Sequence, residues 1–320
     1  MKRYSVLVSG VGALIGYGII KSLRQSRYNV SIVGMDIYDD AVGAEWCDTF
    51  IRAVPAKDGR YIAFVKDVFS KHSIDLMFFG TEQEIQRLSA AKDELGEIYD
   101  RLAINNSEII ELAKDKYKMY SFQKDHNLQG IPSVIDGTFE EVSGMFGTPF
   151  LIKPTRSYAS KGIVVIDCKE DFDFWKKKTA DHFMAQPIIG DEEHEYTASV
   201  FGYGDGTCSQ LIVFWRKLSG EGATSKARSV NIPEIDMEIN KYVHLLKPVG
   251  PTNFQFRRHD GQYLLLEINP RISSSTSIRA ALGYNEAEMS IAFYVENKRI
   301  IPDIKNGQAT RYITEVVKIS

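Results

Sequence analysis

Two apolar runs joined by a short turn near the C-terminus constrain the fold of this 320-residue chain more than any other feature. Residues 252–269 read TNFQFRRHDGQYLLLEIN, and the HDG at 259–261 separates two runs of strand-like composition. We expect a three-residue loop with Gly261 in the left-handed conformation of a bulged turn. A loop of only the last two of these residues is the alternative, and it would place Gln255 and Glu267 on opposite sides of the sheet.

The three-residue loop would gather oxygen-bearing side chains on one face of the hairpin. In that register Asn253 pairs with Glu267, and Gln255, Glu267 and Asn269 point the same way. Hard cations such as Mg²⁺ bind such ligands, usually with substrate phosphates completing the shell. A solvated hairpin face is the alternative, but Glu267 ends an apolar run typical of a strand buried on both faces, where a carboxylate needs a partner. We therefore predict a metal site, with Arg271 able to reach a phosphoryl group.

The first third of the chain alternates between strand and helix patterns. A strand, a glycine-rich turn and an amphipathic helix open it, and a second strand follows at 29–36. Helices are predicted at 58–72 and 82–95, with a buried strand at 75–79 between them. This order predicts an α/β unit with a mainly parallel sheet over residues 1–108.

The glycines of the opening turn suggest a second function class. Gly10, Gly12 and Gly16 resemble a nicotinamide-binding fingerprint, in which Asp36 at the end of the second strand would hold the ribose. The third glycine is displaced by one residue, and no hydride-transfer residues stand out. A dinucleotide-dependent oxidoreductase therefore stays an alternative.

Net charge and composition indicate where the protein is located and which classes of partner it binds. Lys and Arg number 39 against 42 Asp and Glu, which does not favour nucleic acid as the main partner. The three cysteines contain no CxxC pair, as expected for a reducing compartment. The apolar run at 5–20 is broken by four glycines and is too short to span a bilayer. We expect a soluble, cytoplasmic protein with no membrane partner.

The hairpin motif resembles that of a known family. EINPR at 267–271, with Gln255 twelve residues earlier, is similar to the metal-binding hairpin of ATP-grasp enzymes. The likeness is strongest to the large subunit of carbamoyl phosphate synthetase and its single-module relatives. VLVSGVGALIGYGIIKSL at 6–23 is similar to the start of that subunit's amino-terminal domain. The resemblance covers nearly the whole chain.

The resemblance implies a combined α/β and α+β fold in three parts. Residues 1–108 would form a Rossmann-like pre-ATP-grasp domain. Residues 109–190 would form the small lobe of the ATP-grasp fold, with a phosphate loop. Residues 191–320 would form the large lobe, with the metal-binding hairpin.

The resemblance also implies a nucleotide site between the lobes. The loop 155–162 (TRSYASKG) takes the place of the mobile phosphate-covering loop, although it departs from the family's glycine-rich pattern. Glu193 and Glu195 are alternatives for the ribose, and a solvated helix face is the alternative for Lys116. The residues implied in nucleotide binding are Lys116, Lys153, Ser160, Lys161, Gln186, Ile188, Ile189, Glu193 and Glu195.

The function implied is an ATP- and Mg²⁺-dependent ligase, with Mn²⁺ as an alternative metal, that joins a carboxylate to an amine or ammonia. Arg271, Lys153 and Arg216 would be catalytic, and Gln255, Glu267 and Asn269 would bind the metal. The reaction would pass through an acyl phosphate, and the partners would be small-molecule carboxylates and amines, with a homodimer as the assembly. The resemblance is also compatible with a subunit of a split carbamoyl phosphate synthetase and with a non-catalytic nucleotide-binding regulatory subunit.

Overall fold

A computed structural model of the chain describes residues 2–156, 162–179, 183–220 and 222–317. The described strands are β1 (Arg3–Ser9), β2 (Asn29–Asp36), β3 (Thr49–Arg52), β4 (Leu76–Phe78), β5 (Phe150–Pro154), β6 (Val164–Ile166), β7 (Phe183–Pro187), β8 (Glu195–Tyr203), β9 (Ile212–Leu218), β10 (Thr224–Val230), β11 (Val249–His259), β12 (Gln262–Asn269) and β13 (Gln308–Thr310). The described α-helices are α1 (Leu14–Arg24), α2 (Tyr61–His72), α3 (Glu82–Ser89), α4 (Lys92–Leu95), α5 (Ser107–Ala113), α6 (Lys116–Asp125), α7 (Phe139–Phe146), α8 (Lys169–Thr179), α9 (Pro233–Leu246), α10 (Thr276–Ala281) and α11 (Glu286–Ser290).

The first sheet is parallel, as predicted, with the order β3-β2-β1-β4. Alternate residues of β1 enter different cores because strand side chains alternate between faces. Leu7 packs with α2 on one face, whereas Val6 and Val8 pack with α1 on the other. The chain leaves β1 towards β2 on one side and returns to β4 on the other. The crevice between the ends of β1 and β4 is therefore the switch point at which α/β sheets bind ligands.

Two helical segments pack across the predicted domain boundaries. Ile272, Ala287 and Ile291, late in the chain, lie in the core that contains Val6 and Val8 of β1. Residues of α5 and α6 lie in the core of the six-stranded sheet rather than with the small three-stranded sheet. The three-part division stays a prediction, and these contacts join the segments that it separates.

The other two sheets are antiparallel. The larger has the order β12-β11-β8-β9-β10-β13, and α9 covers one of its faces. The smaller has the order β6-β5-β7, and α7 and α8 pack against it. No helix within the described ranges is long and apolar enough to cross a membrane.

The predicted three-residue loop between β11 and β12 is wrong. His259 pairs with Gln262, so only Asp260 and Gly261 form the turn. Their φ angles are +47° and +81°, and two consecutive positive values are typical of the type I′ turn that closes two-residue hairpins. Asp-Gly suits this turn because glycine adopts a positive φ without strain.

A β-bulge restores the arrangement that the longer loop was expected to produce. Gln255 lies opposite Glu267, and the register shifts immediately afterwards, where Leu266 is the extra residue of β12. Asn253 lies opposite Asn269, so its predicted pairing with Glu267 is also wrong. Because a one-residue shift moves side chains to the other face, the bulge brings Glu267 to the side of Gln255.

Candidate functional site

The three residues predicted to bind a metal lie together on the hairpin. The Glu267 carboxylate oxygen Oε1 accepts a hydrogen bond from Gln255 Nε2 at 2.5 Å. The same oxygen accepts one from Asn269 Nδ2 at 2.9 Å. Gln255 belongs to β11 and the other two to β12, so the β11–β12 register positions the cluster.

Arginine side chains extend this cluster at both ends. Arg216 Nη2 donates to Gln255 Oε1 at 2.5 Å. Arg271 Nη2 donates to Asn269 Oδ1 at 2.9 Å, and its guanidinium also forms an ion pair with Glu82 at the start of α3. One hydrogen-bonded chain therefore crosses the site, in the order Glu195, Arg216, Gln255, Glu267, Asn269, Arg271 and Glu82.

The donor set suits a magnesium ion that arrives with phosphate. It offers one carboxylate, Glu267, and the amide oxygens of Gln255 and Asn269. Among the residues that the structure describes, no three His, Cys, Asp or Glu side chains cluster as a cage for a metal ion. Mg²⁺ is commonly held by one or two carboxylates together with substrate phosphates, so this set fits the ion if phosphate supplies further oxygens.

Two lysines place positive charge beside Glu267. Lys153, at the end of β5, is 8% exposed. Burial, together with the nearby charges of Lys116 and Arg257, lowers the pKa of Lys153 to about 8, although Glu267 acts in the opposite direction. Burial also lowers the pKa of Lys116, and Glu267 partly counteracts it. Lys116 N donates to Thr155 O at 2.9 Å, which fixes the start of α6 against the end of β5.

Part of the predicted phosphate loop lies outside the described residues, including Ser160 and Lys161. The structure describes its two ends. Arg156 Nε donates to Asp115 Oδ2 at 3.2 Å, and Asp115 also caps α6. Gly162 has a φ of +78°, so a side chain there would strain the backbone. The roles of Ser160 and Lys161 stay predictions.

The predicted adenine-binding segment follows β7. The Gln186 side chain is buried and donates to Ser133 Oγ at 2.7 Å. Ile188 is 39% exposed, whereas Ile189 is buried against Leu264 of β12. Only Ile188 therefore presents much of its side chain to solvent, and the adenine-binding roles of this segment stay predictions.

The two candidate ribose ligands have different surroundings. Glu195 is buried, and its Oε1 and Oε2 accept hydrogen bonds from Arg216 at 2.6 Å and from Arg257 at 2.7 Å. Glu193 is exposed and forms an ion pair with Lys217 at 2.6 Å. A ligand hydroxyl can reach Glu193 without breaking a buried ion pair, so the geometry favours Glu193 over Glu195 for this role.

Two further residues of the site were not predicted individually. Arg257 follows Gln255 by two positions on β11, and strand alternation could have placed it on the same face. Glu82 lies 189 positions before Arg271 in the sequence, and its Oε1 accepts from Arg271 Nε at 3.1 Å. Only its position just after β4 could have suggested a place near the crevice.

The glycines of the opening turn and Asp36 pack and hydrogen-bond within the turn itself. Gly12 N donates to Asp36 Oδ2 at 2.8 Å, and Asp36 Oδ1 accepts from Tyr38 N at 3.0 Å. A Cβ atom on Gly16 would lie 2.1 Å from the Gly10 carbonyl oxygen, so this glycine is required for close packing of the turn. Each oxygen of Asp36 therefore accepts one backbone amide, so the carboxylate stabilises the turn itself.

Comparisons with known proteins find similarity to ATP-grasp enzymes. The family model described as "ATP-grasp in the biosynthetic pathway with Ter operon" matches residues 183–316. The carbamoyl phosphate synthase large chain of Thermotoga sp. (strain RQ2) is 24% identical over 204 residues, which cover 59% of this chain and 19% of that protein. The corresponding protein of Pseudothermotoga lettingae is 22% identical over 209 residues, with coverages of 60% and 19%. The chain therefore spans about a fifth of these relatives.

Solved structures match over nearly the whole chain. N5-carboxyaminoimidazole synthetase from Staphylococcus aureus, complexed with ADP, has a TM-score of 0.75 at 18% identity, covering 94% of this chain and 80% of that one. L-amino acid ligase from Bacillus licheniformis has a TM-score of 0.67 at 13% identity, with coverages of 94% and 75%. Biotin carboxylase from Campylobacter jejuni has a TM-score of 0.73 at 14% identity, with coverages of 95% and 74%. The predicted fold class is confirmed.

Proposed function

Because the chain is an ATP-grasp superfamily member that resembles one module of the carbamoyl phosphate synthase large chain, we propose that it is an ATP-dependent ligase. It would join a carboxylate to an amine or to ammonia through an acyl phosphate. The observation that carries the proposal is the meeting of Gln255, Glu267 and Asn269 on one face, beside Lys153 and Lys116.

Glu267 would be the central metal ligand, with Gln255 and Asn269 on either side of it. Both amides now direct their NH₂ groups towards Glu267, so each would turn to present its oxygen. When bound, magnesium would neutralise charge on the triphosphate as the γ-phosphoryl group moves. Arg216 is buried between Glu195 and Gln255, and we propose that it positions Gln255 rather than contacting the acyl group.

The cationic side chains would bind and orient the phosphates. Lys153 is buried at the end of β5, so its charge is screened little by solvent. Lys116 is within electrostatic range of Glu267, and Arg271 extends from the end of the same hairpin. Two lysines beside Glu267 and an arginine on Asn269 can hold a triphosphate by charge and by hydrogen bonding. Their roles rest on the family resemblance and on this convergence.

In the proposed chemistry a carboxylate oxygen of the substrate attacks the γ-phosphorus of ATP. The bond between the γ-phosphorus and the bridging oxygen of ADP breaks, which yields an acyl phosphate. An amine nitrogen then attacks the acyl carbon, phosphate leaves with the electrons of the C–O bond, and the nitrogen loses a proton. Water must be kept from the acyl phosphate, and the loop 155–162 is proposed to cover it.

The acceptor would approach through the crevice between β1 and β4. Gly10 follows β1 and Gly80 follows β4, and these two turns at the base of the crevice pack so closely that a Cβ on Gly80 would lie 2.3 Å from the Ser9 carbonyl oxygen. The Arg271–Glu82 ion pair links this crevice to the hairpin. A homodimer and Mn²⁺ in place of Mg²⁺ belong to the proposal through the resemblance, and a cytoplasmic location through the cysteine content and the glycine-broken apolar run.

A screen of carboxylate and amine pairs for ADP release would test the proposal. Hydroxylamine in place of the amine would trap an acyl phosphate as a hydroxamate. We expect at least one carboxylate to give magnesium-dependent ADP release and a hydroxamate with the wild-type protein, and neither with Glu267→Gln. If no pair raises ADP release above the background of the variant, the ligase proposal is wrong.

A further inference from the structure

Arg271 links the start of α3 to the end of the hairpin. Its Nε donates to Glu82 Oε1 at 3.1 Å, and its Nη2 donates to the same oxygen. That Nη2 also donates to Asn269 Oδ1 at 2.9 Å. The side chains of Arg271 and Glu82 are 15% and 35% exposed, so the pair is partly shielded from water.

Glu82 is well placed to hold the guanidinium in this position. It is the first residue of α3, where the helix dipole stabilises a negative charge. Arg271 Nη1 donates to Ile272 O at 3.2 Å, which fixes the other side of the guanidinium. Arg271 is therefore held across the hairpin end by contacts on two sides.

The position of Arg271 conflicts with cation binding at Asn269. The oxygen that accepts from Arg271, Asn269 Oδ1, is the oxygen that a magnesium ion would need. A guanidinium in hydrogen-bond contact with this oxygen would also repel a divalent cation at short range. Arg271 therefore competes with a metal ion for this oxygen.

We infer that Glu82 is a positioning residue that holds Arg271 on Asn269 and thereby weakens magnesium–nucleotide binding. The inference rests on the proposed function, because it assumes that Asn269 is a metal ligand. Loss of the Glu82 carboxylate would release Arg271 and free the Asn269 oxygen. A variant at Glu82 should therefore bind nucleotide more tightly, which a merely structural role would not produce.

A second explanation of tighter binding must be separated from this one. Glu82 lies within electrostatic range of Lys116, so its negative charge could itself repel a triphosphate. That repulsion does not depend on Arg271, whereas the inferred competition does. A double-mutant cycle between Glu82 and Arg271 distinguishes the two effects.

The experiment is calorimetric titration of four proteins with the non-hydrolysable analogue AMP-PNP in excess magnesium. The proteins are the wild type, Glu82→Gln, Arg271→Ala and the double variant. Glu288→Gln is the matched control, because Glu288 forms an ion pair with Arg27 at 2.6 Å away from the hairpin. Thermal unfolding of each protein checks that it is folded.

We expect Glu82→Gln to lower the Kd for AMP-PNP by about three- to tenfold when Arg271 is present. In the Arg271→Ala background the same change should alter the Kd by less than about twofold, and Glu288→Gln should leave it unchanged. An unchanged or weaker affinity of folded Glu82→Gln would overturn the inference, as would equal tightening in both backgrounds. If no protein binds the analogue, the proposed function fails as well.

Discussion

The two faces of the six-stranded sheet are formed by alternating residues of the same strands and differ in chemistry. On one face Ala198 and Val200 of β8, with Phe254 and Phe256 of β11, pack in the core that α9 covers. The opposite face carries polar and charged residues of the same strands, namely Glu195, Thr197, Ser199, Asn253, Gln255 and Arg257. Strand alternation therefore gives one sheet a structural face and a face suited to chemistry.

The polar residues of this face are ordered by pairing, whereas Phe201 and Phe214 on the same face pack in an apolar cluster with Tyr284. Arg279 is fully buried beneath this face and donates to Asn253 Oδ1 at 2.6 Å and to Ser273 Oγ at 2.8 Å. It also forms an ion pair with the buried Glu286 at 3.3 Å. Buried charges are tolerated when they are paired and hydrogen-bonded. We therefore expect substitutions on the polar face to impair nucleotide binding and ADP release, and substitutions on the apolar face to lower the free energy of unfolding.

The largest expected effect is at Glu267. Replacement by Gln removes the only carboxylate of the predicted metal site, so we expect magnesium-dependent ADP release to fall by about a thousandfold. Because the side chain is only partly buried, the free energy of unfolding should change by less than about 1 kcal/mol. Exposed Glu108 provides the control variant, Glu108→Gln. Equal ADP release by Glu267→Gln and the wild type would contradict the assignment of this face.

On the apolar face we expect substitution of Phe254 to lower stability and to leave nucleotide binding unchanged. Its ring is fully buried against Tyr242 of α9, so Phe254→Ala should lower the free energy of unfolding by about 3–5 kcal/mol. Denaturant titration measures this change, and Phe174→Ala, at a site that is 58% exposed, is the control. AMP-PNP affinity of the folded variant should stay near the wild-type value. A stable Phe254→Ala protein with lost nucleotide binding would contradict the division between the faces.

The pH dependence of nucleotide binding tests the role of Lys153 at the edge of the polar face. The pKa of Lys153 is about 8, so the side chain is charged below that pH and neutral above it. Loss of this positive charge should weaken AMP-PNP binding by about tenfold between pH 7 and pH 9. Arginine stays charged over this range, so binding by Lys153→Arg should vary much less. The same pH dependence in both proteins would exclude Lys153 as its source.

The smallest expected effect is a loss of stability on substitution in the turn between β11 and β12. Gly261 has a φ of +81° and an open position for a Cβ, so Gly261→Ala should cost about 1 kcal/mol of stability through backbone strain alone. Gly59 also has an open Cβ position, without a positive φ, and Gly59→Ala is the control for chemical denaturation. ADP release should not change. Equal stability of the two variants would argue against a left-handed backbone at residue 261.

The sequence predicted which side chains of the hairpin lie together, but it did not predict the register of the two strands. Gln255, Glu267 and Asn269 do meet, because the apolar run before Glu267 required a strand and the motif required a shared face. The prediction used a three-residue loop to bring them to one face, whereas the structure uses a β-bulge at Leu266. No distinctive residue type marks this bulge in the sequence. A loop that is one residue longer and a bulge of one residue shift the strand register by the same amount, so composition does not distinguish the two.

Contacts between distant segments were the other part that the sequence did not predict. The Arg271–Glu82 pair joins residues 189 positions apart, and nothing in either local pattern indicates the other. Glu193 and Glu195 are the predicted alternatives for the ribose, and the sequence does not indicate that two arginines, from β9 and β11, pair with Glu195. Such pairs depend on tertiary packing, which short-range spacing does not encode.

The most direct test of the magnesium–nucleotide site is calorimetric titration with AMP-PNP, with and without magnesium, for the wild type and Glu267→Gln. Magnesium should tighten binding to the wild type by about a hundredfold or more, and the variant should lose most of this gain. Affinities that are equal in the two proteins and indifferent to magnesium would show that Gln255, Glu267 and Asn269 do not hold a metal-bound nucleotide.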